Sequence, residues 1–153
     1  MLIFLYLYFN SPVDPVVWKP SPNPGFTNSF KINSALSKIE KLDVTRIGPE
    51  DIAKGPDSLF YTGLRDGLII KFDEYGYYEE FVDTQGKPLG LEFDGNENLI
   101  VADADKGLLS INQQGQITVL TDSVNGNRMK FVDDLDIASD GTIWFSDATT
   151  RYS

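Results

Sequence analysis

One apolar segment of this chain recurs at a nearly fixed interval, and this repeat limits the folds that the chain can adopt. Leu59, Leu99 and Ile143 occupy equivalent places after a turn that contains Gly or Asp, 40 and then 44 residues apart. Gly67 and Gly107 recur at the same 40-residue interval. A period of about 40–50 residues that contains several short strands is typical of the blades of a β-propeller.

Short strands separated by turns are predicted throughout the repeat region. They span residues 58–62, 67–72, 77–82, 90–93, 98–102, 107–111, 117–121, 135–138 and 142–146. Most are bounded by Gly, Asp or Asn, as expected for antiparallel meanders. The predicted fold class is therefore all-β, a partial β-propeller of about two and a half blades. Its innermost strands are predicted at residues 49–53, 90–93 and 135–138.

Two segments fit the repeat less well. Residues 36–47 alternate imperfectly and are predicted as a strand, broken near Asp43, with four core-facing side chains: Ile39, Leu42, Val44 and Ile47. Residues 124–130 are predicted as the loop that lengthens the second repeat by four residues.

Counted from Gly141, the third repeat contains one predicted strand, at residues 142–146, before the sequence ends at Ser153. A propeller blade normally covers the apolar face of its neighbour. We therefore expect an uncovered face on the second blade, carrying Leu99, Val101 and Leu109. On this reading residues 1–153 are a fragment that is inactive by itself and that associates or partly unfolds.

The charge and composition exclude several classes of function. The chain has 23 acidic and 13 basic residues and a formal net charge of −10, so neither nucleic acid nor an anionic lipid surface is an expected partner. It contains no Cys and no His. Disulfides, thiolate metal sites and imidazole catalysis therefore have no residues to supply them here.

The N-terminal region is predicted to be distinct from the repeats. Residues 2–9 are eight consecutive apolar residues, whereas a membrane-spanning helix needs about 20. We interpret residues 1–9 as the end of a signal-anchor, residues 10–35 as a Pro-rich stalk, and residues 36–153 as the propeller part. The expected location is outside the cytoplasm, membrane-anchored or secreted, with membrane contact only through this segment. A strand or arm packed on the propeller remains the alternative.

Asp103 and Asp147 recur at one position of the repeat, 44 residues apart. Such recurrence is typical of a blade-turn hydrogen bond and argues against a site that belongs to a single blade.

Four segments of the chain carry a family resemblance: DPVVWKPSPNPG, GPED, KPLGLEFDGNENLIVADADKGLLSI and FVDDLDIASDGTIWFSDAT. They resemble the N-terminal half of the strictosidine synthase-like proteins, within the gluconolactonase, regucalcin and paraoxonase-type group of six-bladed propellers. The resemblance covers nearly all of the chain from Ser11 onward. This group contains lactonases, arylesterases, a Pictet–Spengler synthase and membrane-anchored members, so the fold does not settle the activity.

The resemblance implies a set of calcium ligands. The Glu that binds the catalytic calcium of metal-dependent lactonases falls on Glu50, and the position of a ligating Asn falls on Asp133, a departure from the family pattern. Asp51, Asp134 and the backbone carbonyl of Leu91 match the second, structural calcium site of paraoxonases. Carboxylates at these strand entries suit Ca²⁺, but they can equally accept backbone N–H bonds, and both readings stay open.

The resemblance leaves three functions open. Leu89 occupies the place of the paraoxonase catalytic His, so that mechanism does not transfer, and no catalytic residue is identified. The leading expectation is a Ca²⁺-dependent hydrolase of lactones or esters. The alternatives are a metal-free synthase or lyase whose catalytic Glu lies beyond residue 153, and a non-catalytic binding propeller. The expected partner is a small-molecule substrate, and no specific protein partner is inferred.

Overall fold

The computed structural model describes residues 16–42 and 46–148. The chain divides into two compact units, Met1–Glu40 and Lys41–Ser153. In the first unit the described residues are exposed and contain one 3-10 turn, Asn28–Phe30. The apolar residues 2–9 lie outside the described ranges, as does the beginning of the predicted stalk. No helix within the described part of the chain has the length and apolar character needed to cross a membrane.

The second unit consists of antiparallel sheets whose strands follow one another in sequence order. The first blade comprises β1 (Ala53–Lys54), β2 (Phe60–Gly63), β3 (Leu68–Phe72) and β4 (Tyr78–Asp83). The second blade comprises β5 (Pro88–Phe93), β6 (Leu99–Asp103), β7 (Gly107–Ile111) and β8 (Ile117–Thr121). A small hairpin follows, with β9 (Ser123–Val124) and β10 (Asn127–Arg128), and then the described part of the third blade, with β11 (Val132–Ile137) and β12 (Ile143–Asp147).

This order confirms the predicted all-β partial propeller, because each four-stranded meander is one repeat. All nine strands predicted from residue 58 onward are present, with ends that shift by up to three residues. The segment at residues 49–53 is the least regular, since only Ala53 of it joins a sheet, in β1. Pro49 has no N–H to donate to a ladder, which favours an irregular strand entry.

The strand predicted at residues 36–47 is wrong for the described part of that segment. Residues 36–42 and 46–47 form no strand, and Ile39, Leu42 and Ile47 are 60%, 44% and 75% exposed. Val44 lies outside the described ranges. The apolar spacings of three, two and three residues cannot all place side chains on one face of a strand, where the period is two.

The segment predicted as a loop at residues 124–130 contains a turn of the small hairpin. Asn125 and Gly126 have positive φ angles of 52° and 79°, and they join Val124 to Asn127, which pair across the hairpin. An Asn-Gly pair with both residues in this conformation is the preferred two-residue hairpin turn. The sequence signal was therefore present, and the hairpin accounts for the longer second repeat.

The main core lies between the first and second blades, and it corrects the prediction of an uncovered face. Leu99, Val101 and Leu109 are 0%, 0% and 1% exposed because they face the first blade, where they pack near Tyr61 and Ile69. The opposite face of the second blade packs against the third blade in a smaller cluster. Its buried members are Ala102, Met129 and Val132, with Leu135 and Phe145 against them.

Candidate metal centre

A cavity of about 200 Å³ lies where the innermost strands of the three blades begin. Its lining comes from the segment before β1, the start of β5 and the start of β11: Glu50, Asp51, Leu89, Gly90, Asp133 and Asp134. The structure therefore brings together the four carboxylates that the sequence proposed as metal ligands. Leu91, whose carbonyl was the fifth proposed ligand, follows directly in β5.

Gly90 allows the second and third blades to approach closely enough to form this cavity. A Cβ atom at Gly90 would lie 2.9 Å from the Cα atom of Asp134 and 3.1 Å from the carbonyl oxygen of Asp133. These are backbone atoms that cannot move independently of β11. A side chain at Gly90 would therefore push β11 away and separate the carboxylates of Asp133 and Asp134 from the rest of the cavity.

Asp51 joins the first blade to the second through its carboxylate. Its Oδ2 atom accepts the N–H of Leu91 at 2.8 Å, and its Oδ1 atom accepts the N–H of Ile52 at 2.8 Å. Its backbone carbonyl accepts the hydroxyl of Thr62 at 2.7 Å. Both carboxylate oxygens therefore accept backbone N–H groups, which is the alternative to metal binding that the sequence left open for carboxylates at strand entries.

Asp134 is engaged in the same way, but less completely. Its Oδ1 atom accepts the N–H of Leu135 at 2.9 Å, whereas no hydrogen bond to its Oδ2 atom is made by a described residue. The backbone N–H of Asp134 donates to the hydroxyl oxygen of Ser146 at 3.4 Å. Asp134 therefore retains one carboxylate oxygen for a ligand.

Glu50 and Asp133 have the freest carboxylates of the cavity. Neither accepts a hydrogen bond from a side chain or backbone group in residues 16–42 or 46–148, and neither forms an ion pair there. No Lys or Arg of the described ranges lines the cavity. Oxygen donors of this kind suit a hard cation such as Ca²⁺. Nevertheless, no three acidic side chains among the described residues converge closely enough to hold a metal ion as they stand.

The chemistry of the donors fits calcium better at one proposed site than at the other. Glu50 and Asp133 offer anionic oxygens that no described group occupies, so they match the first site. At the second site, Asp51 already accepts the N–H of Leu91, so a metal there would have to share both of its oxygens with backbone donors. The ligand assignments of Glu50, Asp133, Asp51, Asp134 and Leu91 stay predictions.

Leu89 supplies the apolar wall of the cavity and is 4% exposed. Among residues 16–42 and 46–148, the titratable side chains that line this cavity are all carboxylates. Any proton transfer by residues of this cavity would therefore have to use a carboxyl group or a bound water molecule.

Glu92 is a positioning residue that the sequence did not reveal. Its Oε2 atom accepts the N–H of Ile137 at 2.8 Å, which joins β5 to β11. Asp51 makes the corresponding link between the first and second blades through Leu91. The innermost strands are therefore joined by carboxylate-to-backbone hydrogen bonds. The only sequence feature that could have indicated these hydrogen bonds is the presence of acidic residues within or beside apolar inner strands.

The predicted turn role of Asp103 and Asp147 is confirmed. Asp103 is fully buried, and its Oδ1 atom accepts the N–H of Lys87 at 2.9 Å, just before the first strand of its own blade. Asp147 does the same in the third blade, where its Oδ1 atom accepts the N–H groups of Lys130 and Phe131 at 3.2 and 2.8 Å. These residues hold in place the backbone just before the first strand of a blade. They do not line the cavity formed by Glu50, Asp51, Asp133 and Asp134, which we call the acidic cavity.

Known proteins agree with this architecture. The chain matches solved structures of a gluconolactonase from Xanthomonas campestris, with a TM-score of 0.61 at 22% identity over 67% of this chain and 36% of that one. It also matches virginiamycin B lyase from Staphylococcus aureus, with a TM-score of 0.54 at 18% identity over 65% and 34% of the two chains. At these identities the likeness concerns the fold alone. It defines the fold of this part of the chain as that of a β-propeller.

Sequence comparison gives the narrower family. Residues 29–72 match the family described as strictosidine synthase-like, N-terminal. The chain is 37% identical to strictosidine synthase-like protein 4 of Arabidopsis thaliana over 92% of its own length and 39% of that protein. It is 32% identical to the adipocyte plasma membrane-associated protein of Danio rerio over 99% and 40% of the two lengths. The chain belongs to the strictosidine synthase-like family, and it spans about two fifths of the length of these relatives.

Proposed function

We propose that this chain supplies the N-terminal repeats of a Ca²⁺-dependent hydrolase of lactones or esters. The observation that carries the proposal is that Glu50, Asp51, Asp133 and Asp134 all line one cavity at the start of the innermost strands. Four carboxylates, with no Lys or Arg from the described part of the chain beside them, create a strongly negative site, which favours a divalent cation over an anionic ligand.

The residues of the cavity have two different roles in the proposed site. Glu50 and Asp133 would hold the ion, because their carboxylates accept no hydrogen bond from a described residue. Asp51 would keep the first and second inner strands together through the N–H of Leu91, at 2.8 Å. When bound, Ca²⁺ would polarise a substrate carbonyl and stabilise the negative charge that develops on its oxygen.

Asp133 and Leu89 would adapt the cavity to particular substrates. An aspartate in the place of the family's asparagine adds a negative charge, which strengthens cation binding and weakens the polarising power of the bound ion. Leu89 is almost fully buried and gives the cavity one apolar wall. A substrate with an apolar portion beside its ester or lactone group fits this arrangement.

A location outside the cytoplasm, at or near a membrane, forms part of the proposal. One matched relative is named as a plasma membrane-associated protein of adipocytes. The apolar residues 2–9 are the segment of this sequence suited to membrane association. The net charge of −10 disfavours adsorption of the repeat region itself on an anionic lipid surface.

Replacing Glu50 by glutamine tests the hydrolase in a chain extended to the length of its relatives. We expect lactone or ester hydrolysis to fall roughly 100-fold or more, because the substitution removes an anionic ligand from the ion that stabilises the transition state. Removal of Ca²⁺ with a chelator should give a similar loss. Glu74→Gln is the matched control, since Glu74 is an exposed residue in the turn between β3 and β4.

The same assays separate the alternatives. Hydrolysis that resists both chelation and Glu50→Gln would contradict the proposed metal role. Condensation of an amine with an aldehyde, without a metal requirement, would favour the synthase. Binding of a small molecule without turnover would favour a non-catalytic propeller.

A further inference from the structure

A second and larger cavity lies at the other end of the inner strands, between the first and second blades. Its volume is about 410 Å³, which is within the range of small-molecule binding sites. Leu89 and Gly90 of β5 line the acidic cavity, whereas Phe93, at the opposite end of the same strand, lines this one. Because the two cavities lie at opposite ends of β5, this second cavity is separate from the proposed metal centre. We call it the inter-blade groove.

Three aromatic rings form one wall of the inter-blade groove. The ring of Tyr61 meets the ring of Phe81 edge to face, with centroids 5.2 Å apart, and meets the ring of Phe93 at 5.0 Å. Tyr61 and Phe81 belong to the first blade and Phe93 to the second. The rings thus fix the two blades against each other and present an aromatic surface to the groove.

The groove also carries more negative than positive charge. Lys71 lines it, but its Nζ atom pairs with Glu79 at 2.8 Å. Asp57 and Glu97 line it on opposite blades, and neither forms an ion pair with a described residue. Their polar contacts are with neutral groups, since Asp57 accepts the hydroxyl of Tyr61 at 2.9 Å and Glu97 accepts the amide of Gln113 at 2.6 Å.

The surroundings of Tyr61 change the pKa of its phenol. Burial, followed by its hydrogen bond to Asp57 and the negative charges of Asp57 and Glu79, raises its pKa. The phenol therefore stays protonated and continues to donate to the Asp57 carboxylate at the wall of the groove.

Glu97 occupies a backbone position that does not favour glutamate. Its φ angle is 64°, in the left-handed region, and the equivalent turn of the third blade has Gly141 at φ 84°. Both turns close through the same pair of backbone hydrogen bonds, so the positions correspond. Gly or Asn would adopt this conformation with less strain. Glu97, despite this strain, places a carboxylate on the second-blade side of the groove, facing the blade that carries Asp57.

We propose that the inter-blade groove binds an organic cation, an ammonium or amine with a compact apolar body. Two carboxylates on opposite walls suit the positive charge, and the rings of Tyr61, Phe81 and Phe93 suit both the cation and its apolar part. This inference does not depend on the proposed hydrolase activity, because it concerns different residues at the other end of the blades.

Benzylammonium chloride tests the proposal, with benzyl alcohol and sodium benzoate as neutral and anionic probes of similar shape. We expect benzylammonium to shift the backbone amide signals of Tyr61, Phe93 and Glu97 in NMR titrations of the 153-residue chain. Its dissociation constant should be roughly tenfold or more below that of benzyl alcohol, and benzoate should bind more weakly still.

Two variants make the result specific. Glu97→Gln keeps the side-chain length and should weaken benzylammonium binding several-fold without changing the binding of benzyl alcohol. Asp57→Asn should do the same, and Glu74→Gln should change nothing. Equal affinity for the cation and the alcohol would overturn the proposal. So would unchanged benzylammonium binding by both groove variants, or shifts confined to the acidic cavity around Glu50.

Discussion

Replacing Asp103 by alanine is expected to lower the free energy of unfolding by about 3 kcal/mol, because four donors would lose their acceptor, one of them the buried hydroxyl of Thr84. The Asp103 carboxylate accepts the N–H groups of Lys87, Asp105 and Lys106 at 2.9, 2.9 and 3.0 Å. Its other oxygen accepts the hydroxyl of Thr84 at 2.8 Å. The loss should appear in urea unfolding followed by circular dichroism.

The neighbouring Asp105 provides the control for this prediction. Asp105 is exposed, and its carboxylate accepts no hydrogen bond from a described residue. Asp105→Ala should therefore change the free energy of unfolding by less than about 0.5 kcal/mol. If Asp103→Ala were as stable as Asp105→Ala, the entry of the second blade would not depend on this carboxylate.

Replacing Gly63 by alanine is expected to cost about 3 kcal/mol of stability through steric conflict. A Cβ atom at Gly63 would lie 2.5 Å from the carbonyl oxygen of Pro88 and 3.0 Å from its carbonyl carbon. These backbone atoms belong to β5, so the first and second blades would have to separate. Pro88 is fully buried, which leaves little room for such a movement.

Gly95 gives a matched glycine control, because a Cβ atom there would meet no atom within 4 Å and its φ angle is not positive. Thermal unfolding should show a clear drop in midpoint for Gly63→Ala and almost none for Gly95→Ala. Similar midpoints for the two variants would mean that β2 and β5 are not in such close contact.

Gly63 also shows why repeat patterns alone do not determine each residue. It stands 40 residues before Asp103, so it occupies the position at which the second and third blades carry Asp. The repeat would predict Asp here. The approach of Pro88 from the next blade instead requires a residue without a side chain.

Most strands could be predicted from the sequence because their signals are local. Alternation of apolar residues and bounding turns identified β2 to β8 and the two described strands of the third blade. Local sequence does not determine which neighbouring blade each face of a sheet contacts. Leu99, Val101 and Leu109 share one face by alternation, but the sequence does not state that this face meets the first blade rather than the third.

The site was predictable to the extent that acidic residues mark the entries of inner strands. The family resemblance implied the ligand roles of Glu50, Asp51, Asp133 and Asp134, which stand at such entries, and they line one cavity. Which oxygens are already engaged depends on distances between blades, such as the 2.8 Å from the N–H of Leu91 to Asp51. The inter-blade groove was missed because its residues come from turns and strand ends that no single motif connects.

Calorimetric titration of the 153-residue chain with Ca²⁺ tests the central claim most directly, because it needs no substrate and no catalytic turnover. We predict that the chain binds Ca²⁺, that Glu50→Gln weakens the affinity roughly tenfold or more, and that Glu74→Gln leaves it unchanged. Equal Ca²⁺ affinity of the unsubstituted chain and Glu50→Gln would contradict the assignment of Glu50 as a metal ligand, and with it the proposed metal-dependent function.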